Sequence, residues 1–95
     1  MYAAIRQTKL KPGTSEEVIK RAREAALPLV SAVPGFKAYY MVLGDDDALT
    51  TVSVFEDQAG ADESSRVAAA WLADNLPELN VAAPYVTAGS VLISF

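Results

Sequence analysis

Two proline–glycine pairs set the frame of this chain. Pro12-Gly13 and Pro34-Gly35 each interrupt regular structure, because proline has no N–H to donate and glycine permits a turn. Between them Val18, Ile19, Ala22, Ala25, Ala26, Leu29, Val30 and Val33 recur at helical spacing. Outside them the character turns extended. Tyr2 to Leu10 runs up to the first break, and the aromatic-rich Phe36 to Leu43 leaves the second. A helix therefore joins two strands. Thr14 and Glu17 have the spacing of a capping box at its start. Pro28 deletes the bond to the carbonyl of Glu24, so a kink or fraying is expected there.

The second half repeats the theme. Gly44-Asp45-Asp46-Asp47 is a turn, and Ala48 to Phe55 is a strand antiparallel to the one before it. The three adjacent carboxylates lack the spaced acids, sixth-position glycine and distal Glu of a calcium loop, so they read as a solvated hairpin. A second helix is expected from Ala61 to Leu76, with Asp62 and Glu63 in its first turn and Pro77 ending it. Ala68, Trp71, Leu72, Asn75 and Leu76 share one face of it. Asn80 to Pro84 reads as linker. Tyr85 to Phe95 reads as a last strand, with a bulge or bend at Gly89.

The order β-α-β-β-α-β is the α+β ferredoxin-like arrangement, a four-stranded antiparallel sheet with two helices on one face. Ninety-five residues form one domain, residues 1–95. A chain this short buries only about 60–70% of its unfolded surface. The sheet face away from the helices is too apolar for water, since Ile5, Val52 and Val54 share a parity. An exposed apolar patch marks an interface, so a homodimer through the open sheet face is expected.

Composition then excludes chemistry. The chain has no Cys and no His. There is no disulfide, no thiolate nucleophile, no Cys-held cluster, no imidazole base and no Ser-His triad. No metal site and no cofactor are implied. The acidic balance, pI about 4.6, argues against nucleic-acid binding. No apolar run is long enough to span a membrane, and no export-type leader is seen, so a soluble cytoplasmic protein is expected. Charge is split along the chain. Residues 1–44 hold seven bases and three acids, and residues 45–95 hold one base, Arg66, and nine acids. Either two neighbouring helices of opposite sign attract each other, or the polarised surface steers a ligand.

Leu10-Lys11-Pro12-Gly13, Val33-Pro34-Gly35-Phe36, the acidic hairpin and Ser53-Val54-Phe55-Glu56-Asp57, in this order and spacing, resemble the dimeric α+β barrel superfamily. Within it they resemble the antibiotic-biosynthesis monooxygenase-like domains. The resemblance covers nearly the whole chain. It implies a sheet-to-sheet homodimer and a pocket between sheet and helices in each subunit. It also implies either a cofactor-independent monooxygenase acting on a small aromatic or quinol substrate or a non-catalytic small-molecule-binding or interaction homodimer. The haem-degrading branch of that family uses an Asn, a Trp and a His. Those positions fall on Arg6, near Ser64 and near Asp74, so haem chemistry is disfavoured.

Strand parity selects the candidate ligand residues. Tyr2, Ala4, Arg6 and Thr8 share a face, as do Thr51, Ser53 and Phe55. If those faces coincide, Arg6 centres a polar patch that can hold an anionic or phenolate oxygen. Tyr40 or Tyr39 would meet an aromatic ring, but only one can enter. Trp71 would form an apolar wall. The ligand-binding set is therefore Arg6, Tyr40, Ser53, Phe55 and Trp71; the catalytic residue is left open. Structural alternatives stand beside each: Arg6 paired with a carboxylate, Trp71 in the core, and Tyr39 and Tyr40 as sheet residues. Ser53 has no base to activate it.

Overall fold

The computed structural model describes residues 1–79 and 84–95. Strands β1 (Tyr2–Lys9), β2 (Phe36–Leu43), β3 (Ala48–Phe55) and β4 (Tyr85–Ser90) form one antiparallel sheet in the order β2-β3-β1-β4. This is the ferredoxin-like order, with β1 and β3 at the centre. The β1–β3 register puts Arg6 opposite Thr51, Ala4 opposite Ser53 and Ile5 opposite Val52. Because side chains alternate along a strand, Ala4, Arg6, Thr51 and Ser53 lie on one face, and Ile5 and Val52 on the other. The two central faces coincide as the parity argument requires.

The first helix is built of three consecutive stretches, α-helical Ser15–Arg21, π-helical Ala22–Ala26 and α-helical Leu27–Ser31. The expected disturbance at Pro28 takes the form of the wider π turn just before it. An i→i+5 register reshuffles the carbonyls that proline cannot serve, so the helix continues. The capping box is not formed. The Thr14 hydroxyl donates to the carbonyl of Lys11 at 2.7 Å, and Glu17 pairs with Arg21 at 2.8 Å. A neighbouring carbonyl and an i,i+4 cation compete successfully for both side chains.

The second helix spans Gln58–Leu79, longer than expected at both ends. Asp57 starts it, its carboxylate accepting from the Gly60 N–H at 3.0 Å and its carbonyl from Ala61. Asp62 and Glu63 therefore fall after the first turn. Pro77 does not end the helix; it removes one bond near the terminus, where few remain to lose. Most of the expected linker, residues 80–83, lies outside the described residues.

The last strand is shorter than expected. Pairing with β1 is regular through Gly89, which faces Ala3, so the irregularity expected there is absent. The register shift of the sheet falls instead in β2, between Phe36 and Ala38. After β4 the Val91 N–H donates to Met1, and Leu92, Ile93 and Phe95 are exposed.

The helices cover the face that carries Ala4 and Arg6. One core cluster joins Val30, Val33, Phe55 and Ala61; a second joins Leu10, Val18 and Leu49, with Met41 and Trp71 packed against it. The hairpin Gly44–Asp47 is closed by Gly44 and Ala48, and Asp46 accepts from the Ala48 N–H. Among the described residues no helix is long and apolar enough to cross a membrane.

Candidate functional site

A cavity of about 350 Å³ separates the sheet from the helices between the two core clusters. That lies at the lower end of the roughly 300–1,000 Å³ typical of small-molecule sites. The sheet supplies Arg6, Thr8, Tyr39, Met41, Thr51 and Val86; the helices supply mainly Val18, Val30, Ser65, Trp71 and Leu72. The wall is apolar except for Arg6 and a few hydroxyls. Among the described lining residues there is no Asp or Glu.

Arg6 is held by three serines. Its Nη1 donates to Ser53 Oγ at 3.2 Å, and its Nη2 donates to Ser64 Oγ at 3.3 Å and Ser65 Oγ at 3.1 Å. Ser53 and Ser64 are fully buried. The Ser64 hydroxyl donates back to the carbonyl of Ala61 at 2.7 Å, which commits its proton and leaves its oxygen to accept from Arg6. Arg6 thus bridges the sheet to the second helix. The carboxylate partner weighed for it is not found among the described residues.

Tyr39 stands next to Arg6 on the cavity wall. Burial pushes its phenol up from the ordinary tyrosine range, opposed by a hydrogen bond with Thr51 and by the charge of Arg6. It is a neutral O–H donor at neutral pH. Burial lowers the Arg6 guanidinium, and Tyr39 opposes that shift. An arginine starts so high that it stays charged at neutral pH.

The expected ligand residues separate into groups. Arg6 and Trp71 line the cavity together. Trp71 also packs on a core cluster, so wall and core are one role. Ser53 lies behind Arg6 and positions it. Phe55 is fully buried in the other cluster, with Phe36 edge-on at 5.8 Å, and is not part of the wall. Tyr40 is 61% exposed on the opposite face of the sheet, across from Val52. The tyrosine in the cavity is Tyr39, across from Ser53. The register shift at Lys37 is the cause. Phe36 faces Phe55 on the helix side; one extra residue then changes the parity, so Tyr39 points inward and Tyr40 outward.

Sequence reasoning missed Ser65 as a site residue. The legible signal was a pair of serines, Ser64 and Ser65, beside the small apolar face formed by Ala61 and Ala68. The arrangement offers N–H and O–H donors around one positive charge inside an apolar enclosure. It is suited to holding an oxyanion. No base stands beside Ser53 to make it a nucleophile among the described residues.

The fold and this enclosure define an α+β domain whose two helices roof a cavity on one face of a four-stranded sheet. Over residues 1–70 the sequence matches the family described as antibiotic biosynthesis monooxygenase, and the chain belongs to that family. The match includes Arg6, Tyr39 and the serines and stops just short of Trp71. A protein of unknown function from Nitrosomonas europaea is similar at 25% identity and TM-score 0.77, covering 99% of this chain and 91% of that one. A Streptomyces coelicolor monooxygenase in complex with nanaomycin D is similar at 18% identity and TM-score 0.72, covering 98% and 92%. The haem degrader MhuD from Mycobacterium tuberculosis, with two haems bound, is similar at 16% identity and TM-score 0.78, covering 100% and 99%. The last two show a shared fold. No curated protein matches the sequence.

Proposed function

We propose that this is a cytoplasmic, cofactor-independent monooxygenase-like protein that acts on a small aromatic or quinol substrate in the cavity. The observation that carries the reading is the enclosure itself: Arg6 and Tyr39 present donors at one side, and Trp71 and Met41 present flat or adaptable apolar surface. The substrate supplies the electrons. In an anthrone-type substrate a ring CH₂ becomes C=O, one oxygen atom of O₂ enters the product and the other leaves as water. The ring carbon gives its proton to solvent water, and Arg6 would stabilise the enolate oxygen that develops.

An oxygen electrode tests this with 1,8-dihydroxyanthrone and simple hydroquinones. The expected result is protein-dependent uptake, with Arg6→Met lowering it at least about tenfold. Uptake no faster than in buffer across the panel sinks the enzyme reading. A non-catalytic small-molecule-binding or interaction homodimer then stands, favoured by the absence of a carboxylate or imidazole base among the described lining residues.

The reading includes a homodimer through the open sheet face. Ile5, Tyr40, Val42 and Tyr85 are exposed there beside Val52 and Val54, apolar residues drawn from all four strands. Sedimentation velocity is expected to give a dimer, and Ile5→Glu at the centre of that face is expected to give a folded monomer. A wild-type monomer at high concentration would overturn this part of the reading.

A further inference from the structure

We infer that the cavity selects a ligand with one carboxylate on an apolar body, and that Arg6 is its counter-ion. The inference rests on the cavity described above and adds the charge class of its occupant.

Arg6 carries a full positive charge, more than half removed from solvent, and its three partners are neutral hydroxyls. Hydroxyls satisfy N–H groups but do not neutralise a cation. A buried charge is costly unless an opposite charge meets it. The nearby group that acts electrostatically on Arg6 is Tyr39, whose phenol is itself neutral at neutral pH. Glu63, on the same helix as Ser64 and Ser65, is engaged by Arg66. Among the described residues no carboxylate meets Arg6, so the negative charge is assigned to a ligand.

The free hydrogen-bonding capacity agrees. A guanidinium has five N–H donors. Three are used on the serines, so two remain without a partner among the described residues. Ser65 accepts from Arg6 and keeps its own O–H to donate, and Tyr39, its phenol hydrogen-bonded with Thr51, stands on the same wall. The two remaining guanidinium N–H groups and the Ser65 hydroxyl are donors, the complement an anionic oxygen requires. A phenol with an ordinary pKa of about 10 enters neutral at pH 7 and leaves the charge unmet. A phosphate dianion brings more charge than one arginine offsets. A carboxylate, ionised above about pH 4–5, matches the single cation. The rest of the wall, with Val18, Val30, Met41, Trp71 and Leu72, takes only an apolar body.

Isothermal titration calorimetry at pH 7 with 2-naphthoate, methyl 2-naphthoate and 2-naphthol compares one ring system in three charge states. We expect 2-naphthoate to bind at least tenfold more tightly than the other two. In Arg6→Met that preference should vanish. Arg6→Lys should keep part of the preference. If Arg6→Met does not fold by circular dichroism, Ser65→Ala carries the test, with a loss of at least threefold for 2-naphthoate only. Equal affinities in the wild type, or a preference that survives Arg6→Met, overturn the inference and leave the cavity as a binding site. Absence of binding by all three overturns both. Selective carboxylate binding without oxygen uptake on any substrate leaves this inference standing and removes the monooxygenase.

Discussion

Phe55→Ala is expected to destabilise the protein by about 3–5 kcal/mol, the usual cost of emptying a fully buried aromatic site. Phe55 has no solvent exposure and joins the first helix, through Val30, and the turn after it, through Val33, to the second helix, through Ala61. Phe36 meets its ring edge-on at 5.8 Å with the planes 73° apart, which adds an aromatic pair to the loss. β3, which carries it, is a central strand paired on both sides, so it cannot shift to fill the void. Total stability for a domain of this size is about 5–15 kcal/mol, so the variant sits near the unfolding threshold. Urea denaturation followed by far-ultraviolet circular dichroism measures the shift. A loss below about 1 kcal/mol would show that this cluster does not hold the helices to the sheet.

Gly60→Ala is expected to destabilise by up to about 2 kcal/mol, although alanine is the better helix former. The propensity gain is about 1 kcal/mol. Against it, a Cβ at Gly60 would lie 3.0 Å from the Pro34 carbonyl oxygen, 3.0 Å from Phe55 Cδ1 and 3.1 Å from Phe55 Cβ. The carbonyl is backbone and cannot rotate away, so overpacking of about 1–3 kcal/mol outweighs the gain. The two variants should couple. In a Phe55→Ala background the ring contact is gone, but the carbonyl and the Cβ remain. The cost of Gly60→Ala should then shrink by about 0.5–1 kcal/mol without vanishing. Additive behaviour would place Gly60 farther from Phe55 than the structure does. The role of this glycine is close approach: the second helix can start against the Val33–Phe36 turn only because no side chain intervenes.

Most of the architecture was legible because it rests on short-range rules. The breaks at Pro12-Gly13 and Pro34-Gly35 and the change of period between them set the element order. The bounds of β2 and β3 follow from strand formers ended by turn residues. Helix ends were less legible. Asp57 starts the second helix earlier than its acidic first-turn pattern suggested, and Thr14 spends its hydroxyl on Lys11 rather than on a capping box. In both cases several acceptors of similar strength compete locally, and spacing alone does not rank them.

The site divides along the same line. Arg6 at the centre of a polar inner face follows from period two in β1 and β3, and Trp71 follows from the helical stripe. Tyr39 does not. If β2 ran without interruption from the inward Phe36, Tyr40 would be the inward residue. The extra residue at Lys37 reverses this, and it sits where β2 meets the chain at Gly35 and Glu56, whose backbones are bonded at 2.9 Å and where Lys37 pairs with Glu56 at 3.0 Å. The sequence by itself determined the order of the elements, the alternation that puts Arg6 and Thr51 on one face, and the absence of imidazole and thiol chemistry. The tertiary structure decided which tyrosine enters the cavity and that, among the described residues, Arg6 is held by three serines and not by a carboxylate. The reason is range. Periodicity is carried by neighbours a few residues apart, whereas the bulge and the serine cradle join Arg6 to positions 47, 58 and 59 residues away, which only the packed sheet and helix bring together.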